Sequence, residues 1–470
     1  MTFSKKISIL TVLCMLLASC SEIPEHNISV PDDSSSTESS DAETTESTEP
    51  ETVPTTEPPP PPIPRGNIYD TKGNLLTSSE GEKRIYAENY AIPFANIITE
   101  MSGGYDTSFE DILRTAPEGA EVGNSIQLTI DSDVQNALYN YMANMNLVGS
   151  VVVMRTDGSI MSQVSYPSYD PTIITDSSYD EDLAWGACGN KAFQNAEPGS
   201  CFKIMSEVIA DKHGIYSIQD EGEWTDDGAT IVNWDHDINS SYPMERSLYS
   251  AFVNSSNIFF AKAFNQIGKD DVLKDLDEIF HFVTDIECDF GVIENNIEIN
   301  CNDDLRRSAF GQSYILTCPI YLSALGREAV FGDMVKPFVL QNVVDTANPQ
   351  TVLEKGSSPS EIIATIPEEY RQNLLDGMSG VASGLGIYLP EGFSFYAKTG
   401  TAETWVGDFL YITGCLKNLN DDGTGVYDYQ NYNGSYILVM QIQNPAEHGL
   451  SFASESASYY QGIINTIFEN

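Results

Sequence analysis

Positive charge is scarce in this chain. Its 470 residues carry 23 Lys and Arg against 69 Asp and Glu, a formal net charge of −46. Such a surface repels polyanions, which argues against nucleic acid as a partner. Histidine numbers five, and the eight cysteines show neither CxxC spacing nor a regular framework. Asp235-His236-Asp237 is a conceivable metal set, but no further acids or histidines stand at ligand spacing, so a loop is the expectation there and no metal is assigned. No internal apolar run approaches the ~20 residues needed to cross a bilayer. What is present in quantity is apolar residue content, 41%, with 10% aromatics, enough for a large folded core.

The beginning of the chain reads as an export signal. Lys5 and Lys6 precede an apolar run, Ile7 to Leu17, that is short for a membrane span. It ends in Leu17-Ala18-Ser19-Cys20, which resembles the lipobox of bacterial lipoproteins. Residues 1–20 are therefore expected to be a lipoprotein signal, with Cys20 as the lipidation site and the mature chain held on the outer face of the cytoplasmic membrane. An uncleaved signal anchor is the alternative. Residues 21–64 hold eleven acids, no Lys or Arg, and close in the run Pro58 to Pro62. That composition does not fold, and it predicts a disordered stalk reaching roughly 130 Å when extended. Beyond it the folded part still carries a net charge of about −37. Cys14 lies in the signal. For Cys188, Cys201, Cys288, Cys301, Cys318 and Cys415 two states stand open: disulfides, with Cys288–Cys301 the easiest pair, or buried thiols, which are favoured.

Residues 65–125 form a small mixed segment that opens with a strand pair around Lys72-Gly73 and contains a helical pattern near Phe109 to Leu113. A strand ending at Asp131 then leads into Val134, Leu138, Tyr141 and Met142 at helical spacing. From Gly149 the period becomes that of a strand, and Ser150–Arg155 with Ser159–Ser165 reads as a hairpin around Thr156-Asp157-Gly158. A helix-rich middle, 200–345, follows. Strands are expected at 393–404, 407–415 and 435–443, with Asn433-Gly434 as a hairpin turn, and a last helix at 454–468. Strands drawn from both ends of the chain into one sheet imply an α+β fold.

Three short motifs carry chemistry. Pro198-Gly199-Ser200-Cys201-Phe202-Lys203 sets a serine at a helix start and a lysine three residues on, where its amine reaches the hydroxyl. A serine needs a base to become a nucleophile, and a lysine of lowered pKa is one. The helix start also directs backbone N–H groups toward a developing oxyanion. Ser255-Ser256-Asn257 lies in an apolar helical stretch, Leu248 to Phe264, where polar side chains require partners. Lys398-Thr399-Gly400-Thr401 follows the strand Phe393 to Ala397. It offers a positive charge, two hydroxyls on one face, and at Gly400 a missing side chain where a substrate backbone would pass. Each motif alone is weak; all three in this order are not.

Together they resemble the set shared by penicillin-binding proteins and class A β-lactamases. Further stretches are similar to class B penicillin-binding proteins: Arg65-Gly66-Asn67-Ile68-Tyr69-Asp70 to the opening of the family's pedestal, and Leu128-Thr129-Ile130-Asp131, Val164 to Pro171, Gly311-Gln312-Ser313 and Val335-Lys336-Pro337 to its transpeptidase domain. The resemblance implies an antiparallel sheet flanked by helices, the penicillin-binding/β-lactamase-like transpeptidase fold, at 126–470, after a short pedestal at 65–125. It implies a D,D-transpeptidase that binds β-lactams covalently and needs no cofactor. Ser200 would attack the penultimate D-Ala carbonyl of a peptidoglycan stem peptide, with Lys203 as base. Ser255 would relay a proton and Asn257 bind substrate backbone. Lys398 would set the potential, Thr399 and Thr401 would hold the carboxylate, and the N–H groups of Ser200 and Thr401 would form the oxyanion hole. A cell-wall synthesis partner such as a glycosyltransferase is implied as well. The chain departs from the family in its short pedestal, its lipid anchor and Cys201, where a small polar residue is more usual. The rival readings are a serine β-lactamase, whose Glu-x-x-Leu-Asn loop is not found between Ser255 and Lys398, a D,D-carboxypeptidase, and a non-catalytic penicillin-binding scaffold or sensor.

Overall fold

A computed structural model describes residues 62–99, 102–116, 118–173, 186–404, 407–425 and 427–470; Cys20, the signal and nearly all of the stalk lie outside them. Strand alternation builds two cores on one sheet. Its five strands run in the order Phe393–Thr404, Gly407–Asn418, Tyr436–Gln443, Gly149–Arg155, Ile160–Tyr166, every neighbouring pair antiparallel. Val151, Val153, Leu438, Met440 and Ile442 face one core with Val134, Leu138, Tyr460 and Ile463. Val152, Met154, Ile437 and Val439 face the other, with the helix Pro319–Phe331. Because both faces are covered, the inner strands read as near-continuous apolar runs.

The fold is therefore α+β, an antiparallel sheet flanked by helices. The helices Ser132–Met145 and Ala457–Glu469 cover one face. The first starts where Asp131 accepts the backbone N–H of Asp133 at 3.0 Å and so caps the helix. A second sheet of six strands was not foreseen. It joins Ile68–Tyr69, Leu75–Glu80, Lys83–Tyr86 and Ser125–Leu128 to Leu340–Val344 and Val352–Lys355. The strand Ser125–Leu128 straddles the 125/126 boundary, pairing with Ile68–Tyr69 on one side and Leu340–Val344 on the other.

Two expectations are corrected and one helix is new. The helix Glu368–Leu385 stands where no element is expected; its glycines and serines lower its helix propensity. Asn433-Gly434 is no hairpin turn, because the strands Gly407–Asn418 and Tyr436–Gln443 are joined by the whole segment 419–435, which contains a short turn of helix at Tyr429–Asn431. The Leu248–Phe264 stretch is not one helix but two, Leu248–Val253 and Asn257–Ile267, broken at Ser255. The six described cysteines are free thiols; Cys288 and Cys301 are not joined.

Candidate active site

The edge strand Phe393–Thr404 borders a cleft of about 690 Å³ that Ser200, Ser255, Asn257, Thr399 and Thr401 all line. Ser200 lies in a 3₁₀ turn, Gly199–Phe202, that runs into the helix Lys203–Lys212. Three residues per turn eclipse positions i and i+3, which places Lys203 over Ser200 more directly than an α-helix would. The Lys203 Nζ stands 2.8 Å from Ser200 Oγ.

Lys203 is fully buried, and three further atoms surround its Nζ: Ser255 O at 2.8 Å, Ser255 Oγ at 3.1 Å and Asn257 Oδ1 at 2.7 Å. None carries a formal charge. Burial, with the Lys398 charge second, drives the Lys203 amine well below the ordinary lysine range. A neutral amine has two hydrogens and one lone pair. The Ser255 carbonyl and Asn257 Oδ1 only accept, so they take the hydrogens and leave the lone pair for a hydroxyl. Asn257 is fixed in that sense, since its Nδ2 donates to Val232 O at 3.1 Å. The carboxamide expected to bind substrate is thus half engaged by the protein, with one N–H and one lone pair left over.

Lys398 is also fully buried, and burial lowers its amine to about 8. It donates to Thr399 O at 2.9 Å and to Ser255 Oγ at 3.2 Å. Thr401 Oγ1 accepts the Ala453 N–H at 3.2 Å. Gly400 serves differently from the expectation. A Cβ there would lie 2.6 Å from Pro198 O and 2.9 Å from Cys201 Sγ, so the absent side chain admits the Ser200 turn rather than a substrate. Gly199 matches it from the turn side: φ is +52°, and a Cβ would sit 2.4 Å from Thr401 O. Cys201 points beneath the strand, fully buried, with Sγ 3.5 Å from Lys398 O, and burial raises its thiol.

Sequence reading passed over the cleft mouth. Trp234 and Phe452, both exposed, meet there with ring centroids 5.6 Å apart, and Trp234 Nε1 donates to Asn254 O at 2.9 Å. The neighbouring Asp235-His236-Asp237 is a turn in which Asp235 accepts the Tyr242 hydroxyl at 2.6 Å and Asn239 Nδ2 at 2.8 Å. An exposed tryptophan in a polar loop was the available signal.

Residues 149–458 match the family model described as the penicillin binding protein transpeptidase domain. The chain is 22% identical over 380 residues to a protein named peptidoglycan D,D-transpeptidase FtsI homolog from Mesostigma viride, covering 73% of this chain and 60% of that one. A protein of the same name from Chlorokybus atmophyticus is 26% identical over 249 residues, 47% of this chain and 35% of that one. The chain thus spans less than two thirds of the curated relatives it matches. Among solved structures, the D,D-transpeptidase domain of a peptidoglycan glycosyltransferase from Eggerthella lenta superposes with a TM-score of 0.68 at 19% identity, covering 87% of this chain and 99% of that one. The penicillin G acyl-enzyme complex of penicillin-binding protein A from M. tuberculosis gives 0.67 at 17%, covering 86% and 99%. These likenesses show the fold. The family match contains the central sheet and every cleft residue named above, and on it the chain belongs to the penicillin-binding protein transpeptidase family.

Proposed function

We propose that this chain is a class B penicillin-binding protein, a serine-type D,D-transpeptidase that cross-links peptidoglycan stem peptides through a Ser200 acyl-enzyme. The observation that carries the reading is the buried Lys203 amine, 2.8 Å from the Ser200 hydroxyl with its hydrogens occupied elsewhere. In the proposed course, Lys203 takes the Ser200 proton as Oγ bonds to the penultimate D-Ala carbonyl carbon. The oxyanion is held by the N–H groups of Ser200 and Thr401. The proton passes by way of Ser255 Oγ to the departing D-Ala nitrogen, the C–N bond breaks, and an ester remains on Ser200. An amine of a second stem peptide then attacks the ester carbon and loses a proton, while Ser200 Oγ leaves and regains one. Splitting the exchange at an ester divides one difficult step into two easier ones. Lys398, with Thr399 and Thr401 beside it, provides the positive field for the substrate's terminal carboxylate.

The same proposal covers the rest of the chain: a lipid anchor at Cys20 on the outer face of the cytoplasmic membrane, a stalk to residue 64, a pedestal at 65–125, a catalytic domain at 126–470 and a glycosyltransferase partner. The leader composition and the acidic, proline-rich tract support its first two parts.

The test is labelling with a fluorescent penicillin, wild type beside Ser200→Ala. The expected result is a long-lived adduct in the wild type alone. A folded wild type that takes up no label would overturn the enzyme reading and favour a scaffold, whereas rapid turnover of the drug would indicate a β-lactamase. Cross-linking of lipid II polymers, against release of D-Ala without cross-links, then separates transpeptidase from carboxypeptidase.

A further inference from the structure

Behind the Ser255 turn lies a buried polar cluster whose Asp220, Asn233 and Arg246 belong to none of the three motifs. Asp220 and Arg246, at most 3% exposed, sit on paired strands, Ser217–Asp220 and Met244–Ser247, with Arg246 Nε 2.7 Å from Asp220 Oδ2. The carboxylate also accepts both the Asn233 Nδ2, at 2.9 and 3.0 Å, and the Ser256 hydroxyl, at 2.7 Å. With Nδ2 so fixed, Asn233 Oδ1 turns the other way. It accepts the backbone N–H of Asn257 at 2.7 Å and of Ile258 at 3.1 Å, two of the orphan donors at the start of the helix Asn257–Ile267. Ser256 caps that helix, its Oγ accepting the Phe259 N–H at 3.1 Å.

The residue just before this anchored turn is Ser255, at φ +57°. A left-handed conformation disfavours a serine by ~1–3 kcal/mol and persists only where its surroundings impose it. Here the imposed conformation is what presents both Ser255 oxygens to Lys203, while the anchored Asn257 presents Oδ1. A buried ion pair is weak evidence of added stability, since desolvation offsets much of the attraction. It does supply a fixed point, and a fixed point is what this turn requires.

We propose that Asn233, held by the buried Asp220–Arg246 pair, is a positioning residue that locks the 255–257 turn so that Ser255 and Asn257 aim the Lys203 lone pair at Ser200. Asn233 touches neither Ser200 nor Lys203 in this role; it acts through the turn. The inference rests on the function proposed above.

Its test is the pH profile of the second-order rate of acylation by a chromogenic penicillin, normalised to active sites titrated at saturation. Asn233→Ala should slow acylation by ~10- to 100-fold, the range for losing an orienting partner. A loosened turn no longer holds the neutral amine, so the rising limb should also move to higher pH. Ser256→Ala, which removes one hydroxyl and leaves Asn233 on Asp220, should shift the limb in the same direction and serves if Asn233→Ala does not fold. Tyr460→Phe deletes a buried hydroxyl in the core on the other face of the central sheet, where it donates to Leu438 O at 2.9 Å, and should lower the melting temperature without moving the limb. The inference is overturned if the two anchor variants keep the wild-type rate and limb, or if Tyr460→Phe moves the limb as far as they do. Absence of acylation in the wild type would instead defeat the proposed function.

Discussion

Lys203 and Lys398 reach the same oxygen: Ser255 Oγ lies 3.1 Å from the first amine and 3.2 Å from the second. Two ammonium groups so placed in a buried site repel each other, and the cheapest relief is for one to lose its proton. Lys398 lies against Thr399 O and is lowered to about 8, and Lys203 is driven well below the ordinary lysine range by burial and then by the Lys398 charge itself. The Lys398 charge is therefore part of the reason the Lys203 amine is lowered toward its neutral form.

Acylation should follow a bell-shaped pH profile. The base works when neutral, so the rate rises with pH through the depressed Lys203 value; the substrate carboxylate needs Lys398 charged, so the rate falls above about 8. The two limbs belong to the coupled pair. Rates of penicillin acylation from pH 5 to 10 check this, and a rate still climbing at pH 10 would contradict it.

Lys203→Met should reduce acylation by ~10²–10⁴-fold, the usual share of a general base. It should also alter stability in a pH-dependent way. A lysine with a lowered folded pKa leaves the unfolded chain holding more protons between that value and ~10.4, so wild-type stability rises with pH across this window. Methionine has no such dependence. Melting temperatures from pH 7 to 10 should therefore show the wild type gaining on the variant.

Gly400→Ala inserts a methyl group 2.6 Å from Pro198 O and 2.9 Å from Cys201 Sγ. Overpacking of this kind costs ~1–3 kcal/mol. Because the displaced element is the nucleophile turn, acylation should fall together with the midpoint of denaturant unfolding, both measured on the same preparation.

Cys201→Ala should leave a covalent penicillin adduct. The thiol is fully buried and raised by that burial, which makes it a poor thiolate. Intact-protein mass spectrometry should find equal labelling in variant and wild type; a variant without adduct would assign the nucleophile to sulfur.

Cys20→Ala should release the protein from the membrane. If the leader is processed as proposed, the wild type partitions into the membrane fraction with a diacylglyceryl mass at its first residue, and the variant does not. Fractionation followed by mass spectrometry reads both.

Much of the site was legible because its chemistry is local. Ser200 and Lys203 are three residues apart, and any helical turn brings them together. Strand periodicity revealed the hairpin at Gly149–Tyr166 and the three late strands, the inner ones because burial on both faces leaves long apolar runs. The helix Glu368–Leu385 escaped because its buried face includes the small residues Gly377 and Ala382, and Ser379, Gly380, Ser383 and Gly384 outside it lower its helix propensity. The break at Ser255 escaped because nothing in Ser-Ser-Asn announces a positive φ.

By itself, the sequence determined the candidate nucleophile and base, the α+β order of elements and a strongly negative net charge. These follow from spacing, periodicity and charge count, which act along the chain. Only the tertiary structure decided that two lysines 195 positions apart share one hydroxyl, that Gly400 makes room for the Ser200 turn, and that Asp220, Arg246 and Asn233 stand behind Ser255. Each of these depends on what burial places side by side: desolvation lowers both amines, and a left-handed serine persists only where neighbours distant in sequence hold it.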